Sequence, residues 1–196
     1  MDYQDIKIAI VGDPRIGIKS MINAYCASNP SRILGQSSHL GSKDTYVQVL
    51  YKHYRLTLIC CEILEGKEHE ERKAICYKGA EIILVCFSLA SLKSLIHVMN
   101  KWYPEADHYC PCTTKFIVGT MLDLRRNHQV KDCIAMTSDI VTSELGHNLA
   151  RHFSADGYFE CSSISGEGLN DLFHHIIDFV MQKRQVKSRP KMCHLL

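Results

Sequence analysis

Residues 6–27 set an apolar run, a glycine-punctuated turn and a helical stretch end to end, and this succession constrains the fold more than any other segment. Ile6 to Val11 is short and apolar, as a buried strand is. It stops at the loop Gly12-Asp-Pro-Arg-Ile-Gly-Ile-Lys-Ser20, and Ser20 to Ala27 then reads as a helix. A strand that ends in a glycine loop at a helix N-terminus turns backbone N–H groups toward whatever the loop encloses, which is how phosphate is cradled. The working pattern is G-x-x-x-x-G-K-[ST], in which Lys neutralises the β/γ-phosphates and the hydroxyl ligates Mg²⁺. Gly12 and Gly17 keep the glycine spacing, but Ile18 takes the lysine slot and Lys19 the hydroxyl slot. Lys19 and Ser20 form the right pair only if the loop holds one extra residue, and Ser20 is then the Mg²⁺ ligand. The candidate phosphate-site residues are Gly12, Asp13, Gly17, Lys19 and Ser20.

The rest of the chain alternates in the same way. Tyr46 to Tyr51 and Arg55 to Cys61 are β-rich runs joined through Lys52-His53 as a hairpin. Ile82 to Phe87 and Lys115 to Gly119 have the near-continuous apolar character of buried parallel strands, and Tyr158 to Cys161 is a last short strand. Helical spacing runs over Ser91–Trp102, Thr142–Phe153 and Leu169–Met181, whereas Gly35 to Lys43, rich in Ser and Gly, reads as a loop. The prediction is an α/β domain over residues 1–181: a mostly parallel six-stranded sheet with helices on both faces and its ligand at the strands' C-terminal ends. Residues 182–196 read as a basic, disordered tail.

Composition excludes several classes. A formal charge of +2 gives no reason to expect nucleic acid as a partner. No apolar run approaches the roughly 18 residues of a membrane span, and Met-Asp-Tyr-Gln-Asp5 lacks the basic flank and apolar stretch of a signal peptide. Several of the 10 cysteines, Cys60, Cys61 and Cys86 among them, sit in apolar runs, where a free thiol packs as a small hydrophobe. A reducing cytoplasm suits such usage. Cys110-Pro-Cys112 and His174-His175 lack a second ligand pair at zinc spacing, so a zinc site is not expected.

Five segments, in order and over essentially the whole chain, resemble the Rho family of small GTPases. They are Ile8-Ala-Ile-Val-Gly-Asp13, Leu84-Val-Cys-Phe-Ser88, Lys101-Trp-Tyr-Pro-Glu105, Val118-Gly-Thr-Met-Leu-Asp-Leu-Arg125 and Tyr158-Phe-Glu-Cys-Ser-Ser163. The resemblance implies the P-loop small-GTPase fold, with a Rho-type insert between the last two segments, and GTP or GDP as ligand. It adds Thr120, Asp123, Leu124, Ser162 and Ser163 to the nucleotide-binding candidates. Asp123 can accept both hydrogen bonds from guanine N1 and the exocyclic amine, a pairing adenine does not offer. Met121 stands where family members carry Lys or Gln, Ser163 where they carry alanine, and Pro30 near the place of an aromatic that covers the base.

The phosphate end departs from the family repeatedly. Pro14 replaces a glycine and removes a backbone donor. Leu40 falls where the first switch needs its Mg²⁺-linked threonine, with Ser38 and Ser42 nearby. The second switch normally reads Asp-x-x-Gly-Gln, where Gly senses the γ-phosphate and Gln positions water. Here the aligned residues are Glu62-Ile-Leu-Glu-Gly66. Conventional hydrolysis is therefore expected to be lost and nucleotide binding weakened, with Mg²⁺ doubtful. The alternative is an active GTPase switch in which an inserted loop residue keeps Lys19 and Ser20 in the working slots. Cys193-His-Leu-Leu196 fits the C-a-a-X prenylation pattern, whose terminal leucine favours geranylgeranyl. Lys183, Arg184, Lys187, Arg189 and Lys191 precede it as the second signal for an anionic membrane surface. The expected role is signalling from the cytoplasmic face of a membrane. Effectors and regulators would meet Gly35–Thr45 and Glu62–Tyr77, although the charge of the latter also suits a merely solvated helix face.

Overall fold

The computed structural model describes residues 3–37, 44–52, 54–63, 70–131 and 139–188. Strand β1 (Tyr3–Gly12) lies in the middle of the sheet and is followed by helix α1 (Ile18–Ala27). Along β1, Ile6, Ile8 and Ile10 face one core with α1, while Ala9 and Val11 face another, the period-2 alternation of a strand covered on both sides. Strands β2 (Ile33–Ser37), β3 (Asp44–Tyr51) and β4 (Tyr54–Glu62) form the antiparallel flank. Helix α2 (Glu70–Tyr77) leads to β5 (Ile82–Ser88), whose seven residues are all buried. Helix α3 (Leu92–His97) passes through a π turn (Val98–Trp102) into α4 (Tyr103–Tyr109). Then come β6 (Thr114–Thr120), α5 (Leu122–Lys131), α6 (Ser143–His152), β7 (Gly157–Glu160) and α7 (Leu169–Ser188).

The sheet order is β2-β3-β4-β1-β5-β6-β7, parallel from β4 through β7. It has seven strands, one more than the sequence predicts. The extra one is β2, which takes Gly35–Ser37 from the predicted loop. Its pattern hides it: Ile33 and Leu34 are exposed on an edge strand, so no buried alternation marks it. Gly35 is there because Tyr46 lies across it, and a Cβ would stand 2.1 Å from the ring's Cζ.

The first core holds Ile8, Met21, Ile22, Tyr25, Phe173, Ile176 and Ile177, between the sheet and the pair α1–α7. The second holds Ile83, Val85, Phe87, Trp102, Ala106 and Leu149, beneath the helices of the opposite face. Cys60, Cys61 and Cys86 are buried in these cores as free thiols. Helix α7 does not stop at Met181. Arg184 pins its continuation by reaching Glu81, the Gln4 side chain and the Asp5 carbonyl, and Lys183 lies 3.3 Å from Thr114 Oγ1. Those two basic residues therefore belong to a packed helix, while Arg189, Lys191 and Cys193 fall outside the described residues. Part of the predicted insert, residues 132–138, falls outside them as well. No described helix is long and apolar enough to cross a membrane.

Candidate functional site

The C-terminal ends of β1, β5 and β6 and the loop after β7 meet at one edge of the sheet. Gly12 turns the chain out of β1 where nothing larger fits: a Cβ would lie 2.5 Å from Ile16 Cδ1 and 2.6 Å from the Cys86 carbonyl oxygen. Gly17, at φ 89°, is the N-cap of α1, and its carbonyl accepts from Met21 N at 2.9 Å. Arg15 also takes a left-handed conformation, φ 68°. Ile18 is thus the first residue of the helix, and it is buried, only 4% exposed. Lys19 points outward, its side chain 78% exposed and its Nζ 4.0 Å from Glu62 Oε2. Ser20 follows on the exposed side of the same turn.

Other contacts fix the loop from below. Asp13 accepts a hydrogen bond from Trp102 Nε1 at 2.8 Å on Oδ1, and His97 Nδ1 lies 2.7 Å from its Oδ2. These partners are five residues apart, which in an α-helix separates side chains by about 140°. The π turn between them, with Tyr103 N donating to Val98 O, is wider and brings both toward one carboxylate. Asp13 therefore uses both oxygens on the fold. Thr120 Oγ1 lies 2.6 Å from the Ile16 carbonyl oxygen and 3.0 Å from that of Phe87, tying the loop to the sheet. Asp13 and Thr120, nucleotide-binding candidates from the sequence, have side chains bonded to the fold around the loop.

At the other end of the site, Asp123 stands in the first turn of α5. Its Oδ1 accepts from Ser162 Oγ at 2.6 Å. Ser162 is fully buried, and its Oγ also accepts from the N–H groups of Ile164 and Ser165, each at 3.1 Å. One hydroxyl thus orders both the carboxylate and the loop facing it. Behind them, Arg125 grips Glu160 with two N–H groups, Nη1 to Oε1 at 2.7 Å and Nη2 to Oε2, while Tyr158 OH donates to Oε1 at 2.7 Å. Burial pushes the Glu160 carboxyl up, but the bonds from Arg125, Tyr158 and Ser143 outweigh it and hold the group below its usual value. Leu124 and Ser163 are partly exposed at the rim. Met121, at φ 59°, joins the two ends. Its Cε lies 3.5 Å from where a Cβ on Gly17 would be, and its Sδ accepts from Ser88 Oγ at 3.2 Å.

The arrangement thus pairs a glycine loop at a helix start with an aspartate held on a buried serine, across a methionine bridge. The family model described as the Ras family matches residues 7–182, a span that takes in Gly12, Asp123 and Ser162. The chain belongs to the Ras family. Its members are small GTPases that bind GTP and GDP. Within this Ras family fold, Glu62 closes β4, and its place in the register opposite Ile10 sets it beside the glycine loop. Ser38, Leu40, Ser42, Glu65 and Gly66, the switch residues considered from sequence, lie outside the described residues. The predicted partner segment Glu62–Tyr77 contains α2, in which Lys73 is buried against Glu105 at 3.0 Å while Ile75 is exposed. Sequence reasoning missed the joint role of His97 and Trp102, whose only signal was the Lys-Trp pair ending a helix.

Proposed function

We propose that this small GTPase is Rho-like, keeps a guanine-recognising end, and has lost conventional GTP hydrolysis. It acts at a membrane, presenting Gly35–Thr45 and Glu62–Tyr77 to effector and regulator proteins. Geranylgeranyl on Cys193, together with the basic residues before it, anchors it there. The observation that carries the reading is Ile18: the first residue after Gly17 is apolar and buried, so no ammonium rises from that position toward β/γ-phosphates. Counter-charge aimed at the transferring phosphoryl group is the chief source of catalysis in this chemistry. Pro14 in the loop and the Glu62–Gly66 segment in place of Asp-x-x-Gly-Gln support the same conclusion.

The rival reading is an active switch using Lys19 and Ser20. Single-turnover hydrolysis of γ-labelled GTP by the full chain decides between them. The proposal expects no release of phosphate above the buffer rate, with Lys19→Ala and Ser20→Ala indistinguishable from the parent. Turnover that either substitution abolishes would establish the rival.

A further inference from the structure

Mg²⁺ is held by oxygen ligands in near-octahedral geometry, and the residues present do not fit it. The position two after Gly17, where the family places a hydroxyl, carries the Lys19 side chain, which has three donors and no lone pair. Among the described residues, no three carboxylate, histidine or cysteine side chains group as a cation site. A divalent ion beside Glu62 would also meet the ammonium 4.0 Å from that carboxylate, a like charge at close range.

We propose that the Lys19 ammonium is the resident counter-cation of this site, taking the place of the divalent ion, so that guanine nucleotide binds without Mg²⁺. This rests on the reading of the site as a guanine-nucleotide site. Four features of the geometry favour it. The cap at Gly17 and the burial of Ile18 fix the helix register, which leaves Lys19 no freedom to slide into another slot. Glu62 is anchored by the β1–β4 ladder and by Ile63 N donating to Ile10 O at 2.9 Å, so its main chain is a fixed point beside the loop. The pair itself is loose: Lys19 is 78% exposed and Glu62 23%, so the ammonium's donors stay available to an incoming anion. Asp13, the other carboxylate at the loop, is turned toward Trp102 and His97 and does not compete for the lysine. A tethered single charge neutralises less of a polyphosphate than a divalent ion does. It is always in place, however, and chelators do not remove it.

The test is fluorescence titration of N-methylanthraniloyl-GDP into the full-length, nucleotide-stripped protein, in excess Mg²⁺ and in excess EDTA. The parent is expected to give Kd values within about twofold of each other in the two media. Lys19→Thr, which supplies the hydroxyl, is expected to bind about tenfold more weakly than the parent in EDTA and to regain affinity on adding Mg²⁺. Lys19→Ala is expected to weaken binding without any recovery in Mg²⁺. Because Lys19 is exposed, all three proteins should show the same thermal unfolding, which circular dichroism checks. Mg²⁺ tightening the parent tenfold or more overturns the proposal, and so does the absence of binding in both media. Either outcome leaves the loss of hydrolysis to be judged by turnover alone, so the two ideas fail separately.

Discussion

Arg125→Met should be among the most damaging single changes near the site, for a reason that can be worked out from the structure. The Arg125 and Glu160 side chains are 10% and 16% exposed, and two N–H···O bonds join them. Removing the guanidinium leaves a mostly buried carboxylate supported by Tyr158 and Ser143. Breaking a buried pair from one side costs about 3–5 kcal/mol. Because Glu160 keeps some solvent and two donors, the lower figure of about 3 kcal/mol applies here. At 2–4 °C per kcal/mol for a domain of this size, the melting temperature should fall by about 6–12 °C. The pH dependence has a definite sign. Glu160 titrates below its ordinary value of 4.5 in the folded protein, so the pair's contribution is complete above that pH and is lost as pH falls through the folded value. The gap between parent and variant should therefore be constant near neutrality and narrow in acid. Adding Glu160→Gln to Arg125→Met should restore most of the loss, since no charge is then stranded. Thermal melts followed by circular dichroism across this pH range provide the measurement. A variant melting within about 1 °C of the parent, or a gap that persists unchanged in acid, would refute the reasoning.

Two further outcomes follow from the site. Asp13→Ala strands the indole N–H of a fully buried Trp102 and should cost about 1–3 kcal/mol in urea unfolding. Asp13→Asn, which can still accept from Trp102, should cost clearly less, and equal losses would mean that charge rather than the indole bond matters. Ser162→Ala frees Asp123 and two loop amides at once, and should weaken N-methylanthraniloyl-GDP binding by about tenfold. An unchanged Kd would separate Asp123 from base recognition.

The parallel strands were legible because strands buried on both faces are apolar along their whole length, as Ile82 to Ser88 shows. The edge strand β2 was not, because Ile33 and Leu34 are exposed and Gly35 answers to Tyr46, a contact 11 residues away in sequence. Spacing gave the glycines their place, and the resemblance to small GTPases gave Asp123 its role as a candidate. It did not give Asp13 its role, since whether a carboxylate faces ligand or fold depends on partners more than 80 residues along the chain. The same holds at α7, where composition reads Lys183 and Arg184 as tail. Glu81, Gln4 and the Asp5 carbonyl make Arg184 part of the folded domain. For the slipped pair Lys19-Ser20, the sequence leaves two registers open; the burial of Ile18 supports the one without a working lysine, and turnover decides between them.

The π turn at Val98–Trp102 bears on which length changes the chain can tolerate. A wide turn amounts to one residue more than a regular helix needs over the same rise. Deleting a single residue there would bring α3 and α4 into one α-helical phase, interrupted at Pro104, which has no N–H to donate. The damage would appear elsewhere: Trp102 would swing by about 100° away from Asp13, and the loop that opens toward the ligand would lose its hold on the helix beneath it. Helix and phosphate loop are therefore coupled in length as well as in contact, and an indel in one would need a matching change in the other.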